Sequence, residues 1–348
     1  MSDFQPVQFE PKDATQQEWT LYHAYRTIRH MELNPDDPLT PDDLVETSMK
    51  RDDPFSERKQ FAIMADGQMI SGFGAGVMKP HAPGYESNKD FIWGGADVIK
   101  DYRRRGIGTI WLRNLSELMH SWDKTLMTTW VEEDDGRAFL NTVGAAEKSV
   151  FAENRLNFQK IDWEMIERWI QDGKDRSPDA TIELFEDRLP DEFLEEYTPI
   201  LSELLMTMPF DDMEHGDIVV TPETAREHQA RSDAVGTKIH TLVVRSPQGK
   251  LLGMTDVAWN PSKPTFVDQR FTGVDPVARG AGLGKLLKAY MLNFLRTKYE
   301  GIEWVVTGNA KSNDSMLAIN HALGFKEHRP HSVYQISRDD VDTYLAKS

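Results

Sequence analysis

Two short segments of this sequence combine arginine and glycine at a spacing suited to binding an anion. Each reads R-x-x-G-x-G, the first from Arg103 to Gly108 and the second from Arg279 to Gly284, and each joins a predicted strand to a predicted helix. The first N–H groups of a helix have no intrahelical acceptors, and the helix dipole favours negative charge there. Glycine also lets the backbone approach a phosphate without an intervening Cβ. The two segments therefore predict two phosphate-binding loops.

The spacing within these segments excludes the two commonest nucleotide fingerprints. A P-loop needs five positions from its first glycine to the glycine of G-K-[ST], whereas Gly280 and Gly284 are four apart and Lys285 is followed by Leu286. The dinucleotide fingerprint G-x-G-x-x-G also fails, because residues 280–284 read G-x-G-x-G. The phosphate must belong to another class of ligand.

The two segments are parts of a tandem duplication. Arg103 and Arg279 are 176 residues apart, and the same offset relates the strand residues Val98 and Val274. Both halves predict the same mixed α/β order, in which a strand, two helices and a hairpin precede the glycine segment, and a helix and further strands follow it. Residues 171–179, QDGKDRSPD, form a polar stretch of the linker type. We therefore predict two domains, 1–172 and 178–348.

Composition narrows the classes of function. The 348 residues carry 40 Lys and Arg against 57 Asp and Glu, a formal charge of −17, which argues against a phosphate-backbone partner. The chain has no cysteine, so disulfides, thiolate catalysis and cysteine-ligated metals are excluded. No residue pattern indicates a metal site. No signal sequence or membrane-length apolar run is present, so we expect a cytoplasmic protein without a membrane partner.

The second copy resembles the GNAT superfamily of acyl-CoA-dependent N-acyltransferases. Residues 274–284, VDPVARGAGLG, resemble the superfamily's pyrophosphate loop V-x-P-x-x-R-G-x-G-L-G. Asn309, Asn313 and residues 316–325, MLAINHALGF, resemble the signature that follows it in bacterial tandem GNAT proteins, which share the two-domain architecture of mycothiol synthases. The first copy keeps the loop intact, but residues 133–145 retain only part of the later signature.

The resemblance implies a fold and a set of CoA contacts. It implies an α/β (α+β) chain of two tandem GNAT domains, each a mixed, mostly antiparallel sheet flanked by helices. The pantetheine arm of CoA would lie between splayed fourth and fifth strands, and the backbone of Val274 would contact it and the acyl group. Asn313 is equally suited to capping the helix after it. The residues expected to contact CoA are Val274, Arg279, Gly280, Gly282, Leu283, Gly284, Lys285, Asn309 and Asn313 in the second copy, and Val98, Arg103, Arg104, Gly106 and Gly108 in the first.

The groups that would move protons are less well marked. Many relatives carry a tyrosine four residues before the Gly-Phe pair, but this chain has Asn320 there in the second copy and Leu140 in the first. Asparagine donates a hydrogen bond without delivering a proton. Water, His321, Tyr334, a residue of the other domain or unassisted thiolate release remain. For the base we expect a partly buried Asp268 with a raised pKa, the alternative being an exposed strand-edge carboxylate. The catalytic candidates are therefore Asp268, Asn320 and Tyr334.

Together these observations predict an acetyl-CoA-dependent N-acetyltransferase that transfers the acetyl group directly to a small-molecule primary amine. The C-terminal copy would be catalytic and the N-terminal copy degenerate. The alternative is a non-catalytic acyl-CoA-binding or scaffolding protein, which the missing tyrosine supports. A transferase using aminoacyl-tRNA is disfavoured by the negative charge. We expect a monomer or homodimer without a nucleic-acid partner.

Overall fold

The computed structural model describes residues 4–347 and divides them into two compact units. The first unit comprises residues 4–150, 212–217 and 331–347, and the second comprises residues 151–211 and 218–330. Both are mixed α/β. None of the helices within 4–347 combines the length and apolar character needed to span a lipid bilayer.

The first repeat of the chain has the predicted order of elements. Its strands and helices are β1 (Pro6–Gln8), α1 (Gln16–Leu33), α2 (Asp42–Lys50), β2 (Ser56–Ala65), β3 (Gln68–Met78), α3 (Tyr85–Asn88), β4 (Phe91–Val98), α4 (Ile107–Ser121), β5 (Leu126–Val131), α5 (Asp134–Val143), β6 (Ala146–Asn157) and α6 (Trp163–Arg176). A capping box in which Thr15 and Glu18 satisfy each other's backbone N–H groups starts α1.

The second repeat has the same order, without a counterpart of the short α3. Its elements are β7 (Thr181–Phe185), α7 (Asp191–Leu205), α8 (Pro222–Ala234), β8 (Lys238–Arg245), β9 (Leu251–Trp259), β10 (Phe266–Val274), α9 (Leu283–Lys298), β11 (Trp304–Ala310), α10 (Asp314–Leu323), β12 (Lys326–Ser337) and α11 (Arg338–Lys347). Thr221 caps α8 with proline at the first helical position.

Each unit contains one sheet of the expected type. In the first unit the strand order is β1-β2-β3-β4-β5-β12, and in the second it is β7-β8-β9-β10-β11-β6. All described pairs within the units are antiparallel except β4 with β5 and β10 with β11. The prediction of mixed, mostly antiparallel sheets flanked by helices is confirmed.

The last strand and helix of each repeat belong to the unit built from the other repeat. In the first unit, residues 332–337 of β12 pair with β5, and α11 packs on α4, where Ser116 donates a 2.6 Å hydrogen bond to Asp342. In the second unit, residues 151–157 of β6 pair with β11, and α6 packs on α9 with Gly173 against Leu286. The compact units therefore differ from the predicted segments 1–172 and 178–348. A repeat period follows the chain, whereas the partner of a strand is chosen by tertiary packing.

The parallel pair at the centre of each sheet separates part of the way along. The ladder between β4 and β5 ends at Trp93 opposite Thr128, although β4 continues to Val98. The ladder between β10 and β11 ends at Asp268 opposite Val306, although β10 continues to Val274. Each sheet therefore opens on the side of its glycine loop.

Candidate active site

The glycine loop of the second unit has the geometry of an anion site. Gly280 and Gly282 both have φ of 84°, in the left-handed region, and Gly282 is the N-cap of α9. The backbone of Leu283, Gly284 and Lys285 forms the first turn of that helix. N–H groups at such a turn, with the helix dipole behind them, are suited to a phosphate. The side chain of Leu283 is buried in the core, so only its backbone can serve a ligand.

The loop of the first unit repeats this backbone with a less suitable residue. Gly106 has φ of 87° and is the N-cap of α4, and Arg104 has φ of 61° where the second repeat has Gly280. A non-glycine residue in the left-handed region costs on the order of 1 kcal/mol. The two loops thus share a left-handed backbone at this position, although the first has arginine where the second has glycine.

The third glycine of each motif serves helix packing. A Cβ on Gly108 would lie 2.8 Å from the ring of Phe139, on α5. A Cβ on Gly284 would lie 3.2 Å from Ile319, on α10. These glycines let α4 and α9 approach the helix that follows, so their first role is structural.

The motif arginines brace the loops. The guanidinium Nε of Arg279 donates to the carbonyl of Val274 at 3.2 Å, and Arg103 donates to Val98 at 3.1 Å. Both bonds reach back five residues to the end of the preceding strand. This bracing role is additional to the CoA contact expected of these arginines, and the constant five-residue spacing in the two copies is the sequence signal that could have indicated it.

The remaining donors of Arg103 are used by carboxylates. Its Nη2 donates to both oxygens of Glu133 at 2.9 Å, and its Nη1 to Asp135 at 3.1 Å. Arg29 also binds Glu133, at 2.7 Å, and Asp97, at 3.0 Å. Burial alone would raise the pKa of Glu133, but the hydrogen bonds from the two arginines hold that pKa below its ordinary value. The motif arginine of the first loop is therefore neutralised by carboxylates of the unit itself.

The second loop keeps its cations available. Arg279 donates a hydrogen bond to the Thr207 hydroxyl at 2.9 Å. Nζ of Lys285 lies 4.8 Å from the centroid of the Trp169 ring. Nη1 of Arg176 lies 3.5 Å from the position that a Cβ on Gly282 would take. Within residues 4–347, no ion pair with a carboxylate is described for any of these three cations. This is the main electrostatic difference between the two loops.

The three asparagines of β11 and the start and body of α10 have distinct roles. Asn313 caps α10 by accepting the N–H of Met316 at 3.3 Å, as the capping alternative expected. Asn320 is 0% exposed and donates to Oδ1 of Asn309 at 2.7 Å, and its own Oδ1 has no hydrogen-bond partner among the described residues. Asn320 is thus a buried amide that holds α10 to β11 through Asn309.

The structure separates the other catalytic candidates. Asp268 lies on an exposed part of β10, at the last position paired with β11; packing around it still raises the pKa of its carboxyl. Tyr334 pairs with Thr129 of β5 and is part of the hydrophobic core of the first unit, where burial raises the pKa of its phenol. Its assignment to a C-terminal active site is therefore corrected, because β12 crosses into the first unit at His331.

A carboxylate that the sequence analysis missed lies at an irregularity of β10. The pairing of β10 with β9 shifts register between Gln269 and Thr272. Asp256 of β9 is buried, accepts the N–H of Phe271 at 2.9 Å and lies 3.4 Å from Nη1 of Arg270. Burial raises the pKa of Asp256. A single acidic residue inside the apolar run of 251–259 was the available signal.

The predicted contacts of the first copy line one groove. A cavity of about 600 Å³ in the first unit is bounded by the separated strands and the loop, and its walls include Val98, Arg103, Arg104, Gly106 and Gly108. The structure thus brings these five residues together as predicted, although the ion network of Arg103 and Glu133 lies in the same wall.

Comparison with known proteins supports the fold. No protein-family model matches the chain. A mycothiol acetyltransferase of Salinispora tropica is 33% identical over 128 residues, which are 36% of this chain and 40% of that protein, so the match spans about two fifths of the relative's length. A mycothiol acetyltransferase of Salinispora arenicola is 34% identical over 129 residues, with the same coverage of 36% and 40%.

Solved structures match over nearly the whole chain. A tandem GNAT protein from the clavulanic acid biosynthesis pathway has a TM-score of 0.72 at 19% identity, covering 97% of this chain and 99% of that one. A GCN5-related N-acetyltransferase from Sphaerobacter thermophilus has a TM-score of 0.64 at 11% identity, with 97% of both chains covered. The chain therefore has the tandem GNAT fold.

Proposed function

We propose that this protein is an acetyl-CoA-dependent N-acetyltransferase that acts on a primary amine of a small molecule, with CoA held by the second unit. The observation that carries the proposal is the loop from Arg279 to Lys285, beside the open end of β10 and β11. Among the described residues 4–347, no ion pair with a carboxylate is found for its two cations, which contact Thr207 and Trp169 instead. The partial similarity to mycothiol acetyltransferases supports acetyl transfer.

The second unit offers a direct route for the reaction. The pyrophosphate of CoA would bind the N–H groups at the start of α9, and the pantetheine arm would enter between β10 and β11 at Val274. The amine nitrogen attacks the thioester carbonyl carbon, the C–S bond breaks, the amine loses a proton and the thiolate gains one. A chain without cysteine cannot pass through a cysteine acyl-enzyme.

Two carboxylates of the second unit are suited to taking the amine proton. Asp268 pairs with Ala258, two residues along β9 from Asp256, so both carboxyls lie on one face of the sheet. Asp256 holds the register shift through Phe271, whereas Asp268 reaches solvent. We therefore assign Asp268 as the base and Asp256 as a positioning residue. No side chain of the unit is assigned as the acid, and water is the proposed proton donor to the thiolate.

One observation favours the alternative of CoA binding without turnover. A Cβ on Gly273 would lie 2.6 Å from the ring of Phe271 and 3.2 Å from Leu204, so these side chains cover the strand just before Val274. An acceptor would need them to move.

The test follows free thiol release from acetyl-CoA with a panel of primary amines. We expect release with at least one amine and its loss in Arg279→Glu, with Arg296→Glu at the far end of α9 as the control for charge reversal on the same helix. Loss of activity in Asp268→Asn with an altered pH profile would support the base. Tight CoA binding without turnover on any amine would establish the alternative instead.

A further inference from the structure

The first unit contains a second cavity whose floor is made of glycine. Gly72, Gly74 and Gly76 alternate along β3, so they share one face of the sheet. Gly95 of β4 lies opposite Gly74 and shares that face. Above this floor is a cavity of about 480 Å³. The open part of this floor is at Gly95, where only Thr129 Oγ1, at 3.6 Å, lies near the position of a Cβ. Tyr25 and Met69 lie over Gly72, and the carbonyl of Lys59 lies beside Gly74.

The second repeat fills the corresponding face. Asp97 pairs with Gly72 in β3, and its counterpart Gly273 pairs with Met254 in β9. By this register, Met254 and Asp256 are the counterparts of Gly72 and Gly74. The offset of 176 residues makes Phe271 the counterpart of Gly95. The second unit has side chains at the positions where the first unit has glycine, so the cavity is a feature of the first unit only among the described residues.

Aromatic side chains surround the glycine floor. Tyr25 of α1 holds one end, where its hydroxyl accepts the N–H of Gly72 at 3.1 Å. The indole of Trp93 covers Gly76. Trp130 of β5 also lines the cavity and is 56% exposed, which is unusual for so large an apolar side chain. Flat walls over a floor without side chains suit a planar ring.

The charged side chains of the cavity lie toward its two ends. Asp97 is the carboxylate among the described residues that line it, and its side chain is 62% exposed and lies 3.0 Å from Nη2 of Arg29. Arg58 and Lys59 also line the cavity, and Arg58 lies four ladder positions from Asp97, about 13 Å at the rise of a strand.

We propose that this cavity binds a small aromatic amine, with the ring over Gly95 beside Trp93 and Trp130 and the ammonium group toward Asp97. The aromatic walls would stack on the ring, and the ammonium group would pair with the exposed carboxylate of Asp97. The inference concerns binding by the first unit alone and does not depend on acetyl transfer by the second.

The test is calorimetric titration of the full-length protein, without acyl-CoA, with three probes. Tryptamine has the ring and the ammonium, indole-3-propionate replaces the ammonium by a carboxylate, and hexylamine lacks the ring. We expect tryptamine to bind at least about tenfold more tightly than either of the others. Equal binding of tryptamine and indole-3-propionate, or no binding of tryptamine at about 1 mM, would overturn the proposal.

Variants locate the site. Gly95→Phe copies the residue of the second repeat, and only Thr129 Oγ1, at 3.6 Å, lies near the added Cβ, so we expect folding to be kept and tryptamine binding to be lost. Trp130→Ala, at an exposed position, provides the same test if Gly95→Phe does not fold. Asp97→Asn should weaken tryptamine by about tenfold and indole-3-propionate not at all, whereas Asp101→Asn, outside the cavity, should change neither. Unchanged tryptamine binding in the folded cavity variants would place its site elsewhere.

Discussion

Asp256 and Phe271 are joined by a 2.9 Å hydrogen bond in which a buried carboxylate accepts a backbone N–H at the point where β10 changes register. The side-chain amide of Gln269 stabilises the same irregularity by donating a 2.9 Å hydrogen bond to the backbone carbonyl of Asp256. A strand irregularity leaves N–H groups without ladder partners, and a buried N–H must be satisfied by some acceptor. Asp256 thus holds β10 in the shape that leads it away from β11.

The first prediction concerns the pH dependence conferred by Asp256. Its folded-state pKa lies above the ordinary 3.8, so the folded protein binds this proton more tightly than the unfolded chain. The stabilisation is complete below the unfolded pKa and is lost as pH rises through the folded pKa. Asp256→Asn keeps an acceptor for Phe271 and removes the titration. Urea unfolding from about pH 4 to about pH 8 should show the variant gaining stability over the parent as pH rises. A constant difference would contradict the assignment.

The second prediction concerns Lys288 of α9, which is 2% exposed and lies 5.5 Å from the ring of Phe325. Within 4–347 no hydrogen bond or ion pair of its ammonium is described, and burial lowers its pKa to about 7. Below the unfolded value of 10.5 the unfolded chain holds the proton more tightly, so stability falls as pH drops toward 7. Lys288→Met should stabilise the protein by about 2 kcal/mol or more at pH 7. The gain should shrink at pH 10, and a gain independent of pH would contradict the unpaired charge.

The third prediction separates the two motif arginines. Arg279→Ala should weaken CoA binding about tenfold or more, because it removes both a cation and the brace to Val274. Arg103→Ala should leave the affinity of the second loop for CoA unchanged and lower the unfolding free energy by about 2 kcal/mol, because Glu133 loses one of its two arginine partners and the loop loses its brace to Val98. Calorimetry with CoA and urea unfolding of both variants give the comparison. Equal losses of affinity would show that the first loop also holds CoA.

The fourth prediction follows from the exchanged strands. A fragment of residues 178–348 lacks the part of β6 that pairs with β11, and a fragment of residues 1–172 lacks the part of β12 that pairs with β5. Each should show little cooperative urea unfolding alone, and mixing them should restore a cooperative transition. Two independently stable fragments would contradict the exchange.

The strand–loop–helix geometry of the two glycine segments could be predicted from the sequence because it depends on consecutive residues, whereas their binding of phosphate stays a prediction. Gly280 and Gly282 have positive φ and α9 begins directly after them, so consecutive residues determine the shape of this loop. The brace from Arg279 to Val274 is also local, and its five-residue spacing repeats in both copies. Features of this kind need no knowledge of tertiary contacts.

Features that depend on tertiary partners could not be predicted in this way. Tyr334 has the same sequence neighbours whichever sheet β12 joins, so its burial in the core of the first unit could not be predicted from local sequence. The role of Asp256 depends on a register shift in a different strand. The neutralisation of Arg103 depends on Glu133, 30 residues later and across a loop. In each case the deciding partner is distant along the chain.

Because the two repeats exchange their final strands, the first unit cannot be completed until β12 has been synthesised. The first unit needs residues 331–347, which are made long after residue 150, where most of its sheet is already complete. At 5–20 residues per second, the wait is roughly 10 to 40 s, during which the edge of β5 that later pairs with β12 has no partner. Open strand edges invite pairing with other chains. A nascent chain of this protein is therefore exposed to misassembly on the ribosome for longer than one whose domains close in the order of their synthesis.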